Sequence, residues 1–222
     1  MKSANHLYSI LLLIFLAWSC QAKETRQEYA NPTPVLTAAQ QERLDTVYFA
    51  SGCFWCTEAV FERVQGVYDV VSGYSGGDKK NPTYEQVGAG LTNYAEAVRV
   101  VYDSDQISYV ELLEIFFASH DPTTLNRQGP DVGKQYRSAI FYRTDSEKSL
   151  ATTMKEKLNK SGKYRNPIVT EITRFKSFYE AEDYHQNYYE IHPENPYVQS
   201  VSKPKVEKFM KEFKEKLKPE FQ

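Results

Sequence analysis

Thr46-Val47-Tyr48-Phe49-Ala50-Ser51-Gly52-Cys53-Phe54-Trp55-Cys56 is the stretch whose reading decides the fold. Thr46 to Ala50 is β-branched and aromatic, the composition of a strand, and it halts at Gly52. From Phe54 to Val64 the pattern becomes helical, with Cys56, Val60 and Val64 on one stripe and Gly66 as the stop. A strand therefore hands over to a helix within three residues, and a cysteine stands at the join.

Working outward, Val67 to Tyr74 predicts a second strand closing in the turn Gly76-Gly77, and Glu96 to Tyr102 a third. Ser108 to Ser119 predicts a helix carrying Val110, Leu113 and Phe117 inward, and Ser138 to Tyr142 a fourth strand. The order β-α-β-β-α-β is the split unit of ferredoxin-like sheets, so the expected class is α+β, one domain over residues 45–222. Beyond it the patterning predicts a helix from Ser146 to Lys160, a short strand from Ile168 to Thr173, and helical stretches near 178–190 and 204–217. In the last of these, Val206, Phe209, Met210, Phe213 and Leu217 recur at helical spacing, as in a helix packed on the domain. Ser119 to Arg137 has no periodic pattern and contains Gly129, Pro130 and Gly133, which marks a functional loop.

Of 222 residues, 27 are Lys or Arg and 29 Asp or Glu, so the chain lacks the basic excess that nucleic-acid binding requires. Hydrophobic residues at 41% with charged ones at 25% exclude a disordered or fibrous protein. Three cysteines, Cys20, Cys53 and Cys56, are too few for a disulfide scaffold. The run Ile10 to Trp18 behind Lys2 is too short to span a bilayer, which takes about 20 apolar residues, and reads as the apolar region of a signal peptide over 1–19. It ends in Ala17-Trp18-Ser19-Cys20, which resembles a bacterial lipoprotein signal, although Ala17 stands where Leu is usual. The expectation is an exported protein of the cell envelope or periplasm, lipidated at Cys20, with residues 20–44 as a tether to the membrane.

Cys53 sits where a helix N-terminus presents unpaired N–H groups, which predicts a depressed thiol pKa. In an exported chain, Cys53 and Cys56 three residues apart at a helix start point to redox chemistry rather than to two buried hydrophobes. A metal site is not expected, since no second Cys pair or spaced His pair completes four ligands. Glu96 shares a strand face with Val98, Val100 and Tyr102. If that face is the core side its pKa rises and it can donate a proton; a strand-end ion pair accounts for the same pattern. Singly, Tyr84 and Tyr136 read as core aromatics and Asp131 as a turn residue, while His120 and His185 are possible partners of a nucleophilic cysteine.

Together these segments resemble the peptide methionine sulfoxide reductases of the A type. The resemblance rests on Gly52-Cys53-Phe54-Trp55, Gly73-Tyr74-Ser75-Gly76-Gly77, Asn81-Pro82-Thr83-Tyr84, Ala95-Glu96-Ala97-Val98, His120-Asp121-Pro122, Asp131 to Ile140, and Ala181 to Gln186, in family order across residues 46–210. It implies a two-layer α/β sandwich on a ferredoxin-like core, no cofactor, and methionine sulfoxide in proteins or peptides as substrate. By the same resemblance Cys53 attacks the sulfoxide sulfur, Phe54 and Trp55 receive the S-methyl group, and Glu96 protonates the oxygen. Tyr84 and Tyr136 hold that oxygen and Asp131 orders the pocket. The products are methionine and a Cys53 sulfenic acid.

Three departures from the family stand out: Cys56 where Gly is usual, Val198 rather than Cys after Asn195-Pro196-Tyr197, and Tyr94 where His is common, expected to adjust the pocket rim. Helical spacing puts Cys56 on one face with Cys53, so Cys56 is the expected resolving thiol, with a thioredoxin-like protein as reductant. The rival readings are a thioredoxin-like dithiol oxidoreductase and a cysteine hydrolase using His120 or His185.

Overall fold

The computed structural model describes residues 37–222, which leaves the expected signal peptide, Cys20 and the tether as far as residue 36 outside the described residues. Within the remaining tether, Thr37 caps a one-turn helix, α1 (Ala38–Gln41), and Leu44 already opens β1 (Leu44–Ser51). The strand-to-helix switch follows: β1 ends, Gly52 and Cys53 turn the chain, and α2 (Phe54–Glu62) begins. Then come β2 (Val67–Ser75), a short α3 (Tyr84–Gly88), β3 (Ala95–Asp103) and α4 (Tyr109–Ala118). The loop that lacked periodicity forms a two-stranded ribbon, β4 (Arg127–Gln128) with β5 (Asp131–Val132), before β6 (Ser138–Tyr142) and α5 (Asp145–Lys160). Strands β7 (Glu171–Arg174) and β8 (Phe178–Glu180) precede α6 (Tyr188–Ile191) and α7 (Lys203–Glu212).

The main sheet runs β7-β6-β1-β3-β2-β8. Its four central strands are antiparallel in the order that a split β-α-β-β-α-β unit produces, and β7 adds parallel to β6 at one edge. The fold is α+β. Alternation sorts the faces: Val47 and Phe49, Val98 and Val100, and Ile140 point into the large core with Phe61 of α2 and Phe116 of α4. Tyr48, Ala50, Ala97, Ala139 and Phe141 form a thinner cluster on the opposite face, closed by Phe175 and Phe178. Each fully buried Phe contributes roughly 1.5–3 kcal/mol, and Phe49, Phe54, Phe61, Phe116, Phe117 and Phe141 all qualify.

Several sequence expectations are corrected. The helix expected near 178–190 is instead β8, a 3-10 turn at Asp183–His185 and the single turn of α6. Phe178 to Glu180 pair with Gly73 to Ser75 at the sheet edge, a partner about a hundred residues away that local periodicity does not register. The short strand lies at Glu171–Arg174, with Ile168 before it, and helix α7 stops at Glu212 before a 3-10 turn. Val110 is exposed; α4 turns Leu112, Leu113, Ile115, Phe116 and Phe117 inward instead. Helix α2, expected to bury one stripe, buries Phe54, Cys56, Thr57, Glu58, Ala59, Val60 and Phe61, because α6 and α7 cover the side away from the sheet.

Candidate active site

Gly52 makes the join possible. Its φ of +94° lies in the region that side chains disfavour, and a Cβ there would stand 2.6 Å from Cβ and Cγ of Gln128. Gln128 is anchored in turn, donating from Nε2 to the Asp121 carbonyl at 3.0 Å and accepting the Asp121 N–H at 3.2 Å. Cys53 is the N-cap of α2, and its carbonyl accepts from the Thr57 hydroxyl at 3.2 Å. Behind it, Ser51 and Thr57 share a hydroxyl hydrogen bond of 2.8 Å.

The next backbone donor, Phe54 N–H, is given to Glu96 Oε2 at 3.1 Å. That bond joins the cysteine turn to β3. Glu96 lies on the core face of β3, opposite Tyr74 on β2, and is 2% exposed. Burial raises its carboxyl pKa to about 8 against the pull of the Phe54 N–H, so it is protonated at neutral pH. The ion-pair reading of Glu96 is thereby excluded: it makes no salt bridge among the described residues.

The depressed pKa expected for Cys53 is reversed. Cys53 is 5% exposed, and burial pushes its thiol well above the usual range, reinforced by Cys56 and Glu96; a hydrogen bond with Tyr197 pulls the other way. The helix-end N–H that would have favoured a thiolate is spent on Glu96. It is Cys56 that falls, to about 7, because the Cys53 thiol hydrogen-bonds its sulfur, with Lys205 and Ser202 adding to the effect against burial. The two thiols titrate as a pair, with Cys53 pushed up and Cys56 drawn down. Cys56 Sγ lies 3.1 Å from Ser202 Oγ, and both cysteines are free thiols.

Around the thiols stands an aromatic wall. Trp55 stacks on Tyr188 with ring centroids 3.7 Å apart and meets Tyr197 edge-on at 5.8 Å. Its indole N–H donates to His185 Nδ1 at 3.2 Å. Tyr84 leads α3 and lies 4.3 Å from the His185 ring; burial, then Glu96 and Cys53, raises its phenol pKa to about 12. Tyr136, in the 3-10 turn Lys134–Tyr136, is raised by burial and then by Glu96 and Tyr84. Asp131, on β5, accepts a 2.5 Å hydrogen bond from the Tyr197 hydroxyl. Cys53, Phe54, Trp55, Cys56, Tyr84, Glu96, Asp131 and Tyr136 are thus gathered at one place. Cys20 lies outside the described residues.

Three participants escaped the sequence reading. Tyr197 touches both Asp131 and Cys53; in the sequence, Asn195-Pro196-Tyr197 stands out only for the residue that follows it. Glu182 accepts from the Tyr74 hydroxyl and the Tyr84 N–H, both at 2.9 Å, and so fixes the start of α3. Ser202, the N-cap of α7, meets Cys56 from almost 150 residues away. Tyr94, expected at the pocket rim, is buried, its hydroxyl donating to the Lys79 carbonyl at 2.7 Å and its ring packed over Gly77. It pins the loop after β2 rather than shaping the pocket.

Neither histidine partners Cys53. His120 bonds the Phe116 carbonyl through Nδ1 and the Ser138 hydroxyl through Nε2, both at 2.7 Å, and burial lowers its pKa to about 4. His185 accepts from Trp55. Among the described residues no group of three His, Cys, Asp or Glu side chains is placed to hold a metal ion.

A thiol beside a neutral carboxylic acid, under an aromatic wall, can take oxygen from an acceptor that needs protonation as it leaves. The fold and site define a thiol-dependent oxidoreductase. The family description "Peptide methionine sulfoxide reductase" matches residues 45–217. A peptide methionine sulfoxide reductase MsrA from Natronomonas pharaonis is 50% identical over 172 residues, covering 78% of this chain and 97% of that protein. Its counterpart from Deinococcus radiodurans is 51% identical over 200 residues, covering 90% of this chain and 93% of that protein. Among solved structures, reduced Mxr1 from Saccharomyces cerevisiae superposes with a TM-score of 0.62 at 38% identity, over 69% of this chain and 88% of that one. Methionine sulfoxide reductase A of Corynebacterium diphtheriae gives 0.61 at 36%, over 71% and 79%. The chain belongs to the peptide methionine sulfoxide reductase family. Its activity is the thiol-dependent reduction of methionine sulfoxide to methionine, and the dithiol-oxidoreductase and hydrolase readings fall away.

Proposed function

We propose that this enzyme reduces the S epimer of methionine sulfoxide, in oxidised proteins and free, through Cys53 and Glu96, and closes its cycle with Cys56. The observation that carries this is the Phe54 N–H to Glu96 Oε2 bond, which holds a buried, protonated acid against the turn bearing Cys53. Phe54 and Trp55 receive the S-methyl group, and Tyr84 and Tyr136, ordered with Asp131, hold the sulfoxide oxygen. Cys53 sulfur attacks the sulfoxide sulfur while Glu96 protonates the oxygen. The hydroxyl passes from that sulfur to Cys53 as the new S–S bond breaks, and the Cys53 thiol proton restores Glu96, so thiol plus sulfoxide becomes sulfenic acid plus sulfide with no net proton change. Cys56 then attacks the Cys53 sulfenic sulfur. The S–O bond breaks, the oxygen leaves as water with a proton from the pool that took up the Cys56 proton, and a Cys53–Cys56 disulfide remains for a thioredoxin-like protein to reduce.

Turnover of separated sulfoxide epimers with dithiothreitol should consume the S form only and vanish in Cys53→Ser. One equivalent of substrate should leave a Cys53–Cys56 bridge in a tryptic peptide, and Cys56→Ser should stall after one turnover with thioredoxin. Turnover of the R form, or undiminished cycling by Cys56→Ser, would refute the respective step.

The same reading places the enzyme outside the cytoplasm, anchored to a membrane by a lipid on Cys20, supported by the apolar run ending in Ser19-Cys20. Intact mass of native protein should show a diacylglyceryl adduct on Cys20; a soluble product starting beyond Cys20 would overturn it.

A further inference from the structure

Lys205 belongs to α7, and its ammonium nitrogen is buried without a hydrogen-bond partner. A desolvated cation of this kind is costly unless an anion answers it. Lys205 borders a cleft of about 480 Å³ shared with His120, Asp121, Lys163, Arg165 and Lys208. Lys163, Arg165 and Lys208 are the other cations there. Asp121, the acid in the cleft, is engaged by the Thr123 N–H and hydroxyl, at 2.9 and 2.6 Å. His120 bonds Phe116 and Ser138 and stays neutral. Among the described residues Lys205 makes no ion pair on the cleft side.

On the inner side, Ser202 is fully buried with its Oγ 3.1 Å from Cys56 Sγ, and its helical backbone continues directly into α7. Lys205 follows Ser202 by three residues and so lies on the same helix face, one turn on. Helix α7 packs against α2, which carries Cys56. The other groups acting on the Cys56 sulfur are Cys53 from the start of α2 and Asp131 from β5, while Glu96 and Tyr197 are themselves raised by a negative charge there. Against these acids, among the described residues, the cation acting on Cys56 is Lys205.

We propose that Lys205 is a positioning residue for regeneration: its ammonium, on the helix face of α7 that follows from Ser202, holds the Cys56 sulfur ready to attack the Cys53 sulfenic acid. This rests on Cys56 being the resolving thiol. The charge does not touch the sulfoxide, and its effect falls on formation of the disulfide. The same charge stabilises Cys56 as the departing thiolate when an external thiol attacks the disulfide at Cys53.

The test uses the full chain. In a Cys53→Ser background, thiolate ultraviolet absorbance against pH, taken as a difference from the matching Cys56→Ser protein, isolates Cys56. Lys205→Met should move its midpoint up by about one pH unit, and Lys205→Arg should restore it. With both cysteines present, disulfide formation after one equivalent of sulfoxide should slow about 3–10-fold at neutral pH in Lys205→Met, more than methionine formation does. An unmoved midpoint overturns the assignment, as does a moved midpoint with an unchanged rate of disulfide formation. If the parent forms no Cys53–Cys56 bridge while the midpoint still moves, the resolving role of Cys56 fails and the electrostatic one stands.

Discussion

Glu96 is the residue at which burial and chemistry pull in the same direction. An acid that had to be ionised for stability would gain a basic partner; this one has a single backbone N–H and an apolar surround, and its pKa rises to about 8. Below that pH it can donate to the sulfoxide oxygen, so single-turnover methionine formation should decline as pH rises through about 8. Glu96→Gln should slow that step by about 10²–10⁴-fold. The folded form holds this proton where the unfolded chain releases it, from the ordinary 4.5 up to about 8, so the stability Glu96 contributes is lost as pH rises through that window. The amide cannot ionise. Thermal unfolding should therefore find Glu96→Gln more resistant than the parent at alkaline pH even though it is slower, and equal pH dependences would show that Glu96 is not the buried acid.

At the scale of elements, the joint between β1 and α2 does most to place the chemistry. Gly52→Ala should cost on the order of 1–3 kcal/mol from its backbone conformation alone, and more where the new Cβ meets Gln128. A lowered urea midpoint with unchanged slope is the expected result, together with weaker activity, since Gln128 and Cys53 shift together. This joint was legible in the sequence because it is local: a β-rich run, a glycine and a helical stripe succeed one another within about twenty residues. The elements after β6 were less legible for the opposite reason. Phe178 to Glu180 is a strand because β2 offers it an edge, and Gln186 then brackets Ser72, accepting its N–H at 2.9 Å and donating to its carbonyl at 3.1 Å. Neither partner is near in sequence, so periodicity alone favoured a helix there.

For the whole molecule, His120 ties α4 to β6 as a neutral ring, and its pKa of about 4 is a stability statement. The unfolded chain takes up this proton near 6.5, the folded one only near 4, so stability should fall as pH drops from 6.5 to 4 and level off below. The slope contributed by one proton is roughly 1.4 kcal/mol per pH unit. His120→Gln should flatten that part of the stability–pH curve while lowering stability at neutral pH; an unaltered curve would mean that His120 takes up its proton at the same pH folded and unfolded.

By itself the sequence determined the α+β order, the cysteine pair at a helix start and the grouping of Glu96 with Val98, Val100 and Tyr102 on one face of β3, because each follows from residue type and short-range period; it left open whether that face is the core side. It also carried the family resemblance, since that rests on contiguous motifs. Only the tertiary structure decided the charges. Whether a thiol or a carboxyl ionises depends on what is packed over it, and the groups packed over Cys53 and Cys56 come from β3, the β4–β5 ribbon, Tyr197 and α7. Local reasoning put the low pKa on Cys53, from the helix end alone. Burial closed that route for Cys53, and the low pKa passed to Cys56 because the Cys53 thiol hydrogen-bonds its sulfur while Lys205 and Ser202, about 150 residues on, add to the effect.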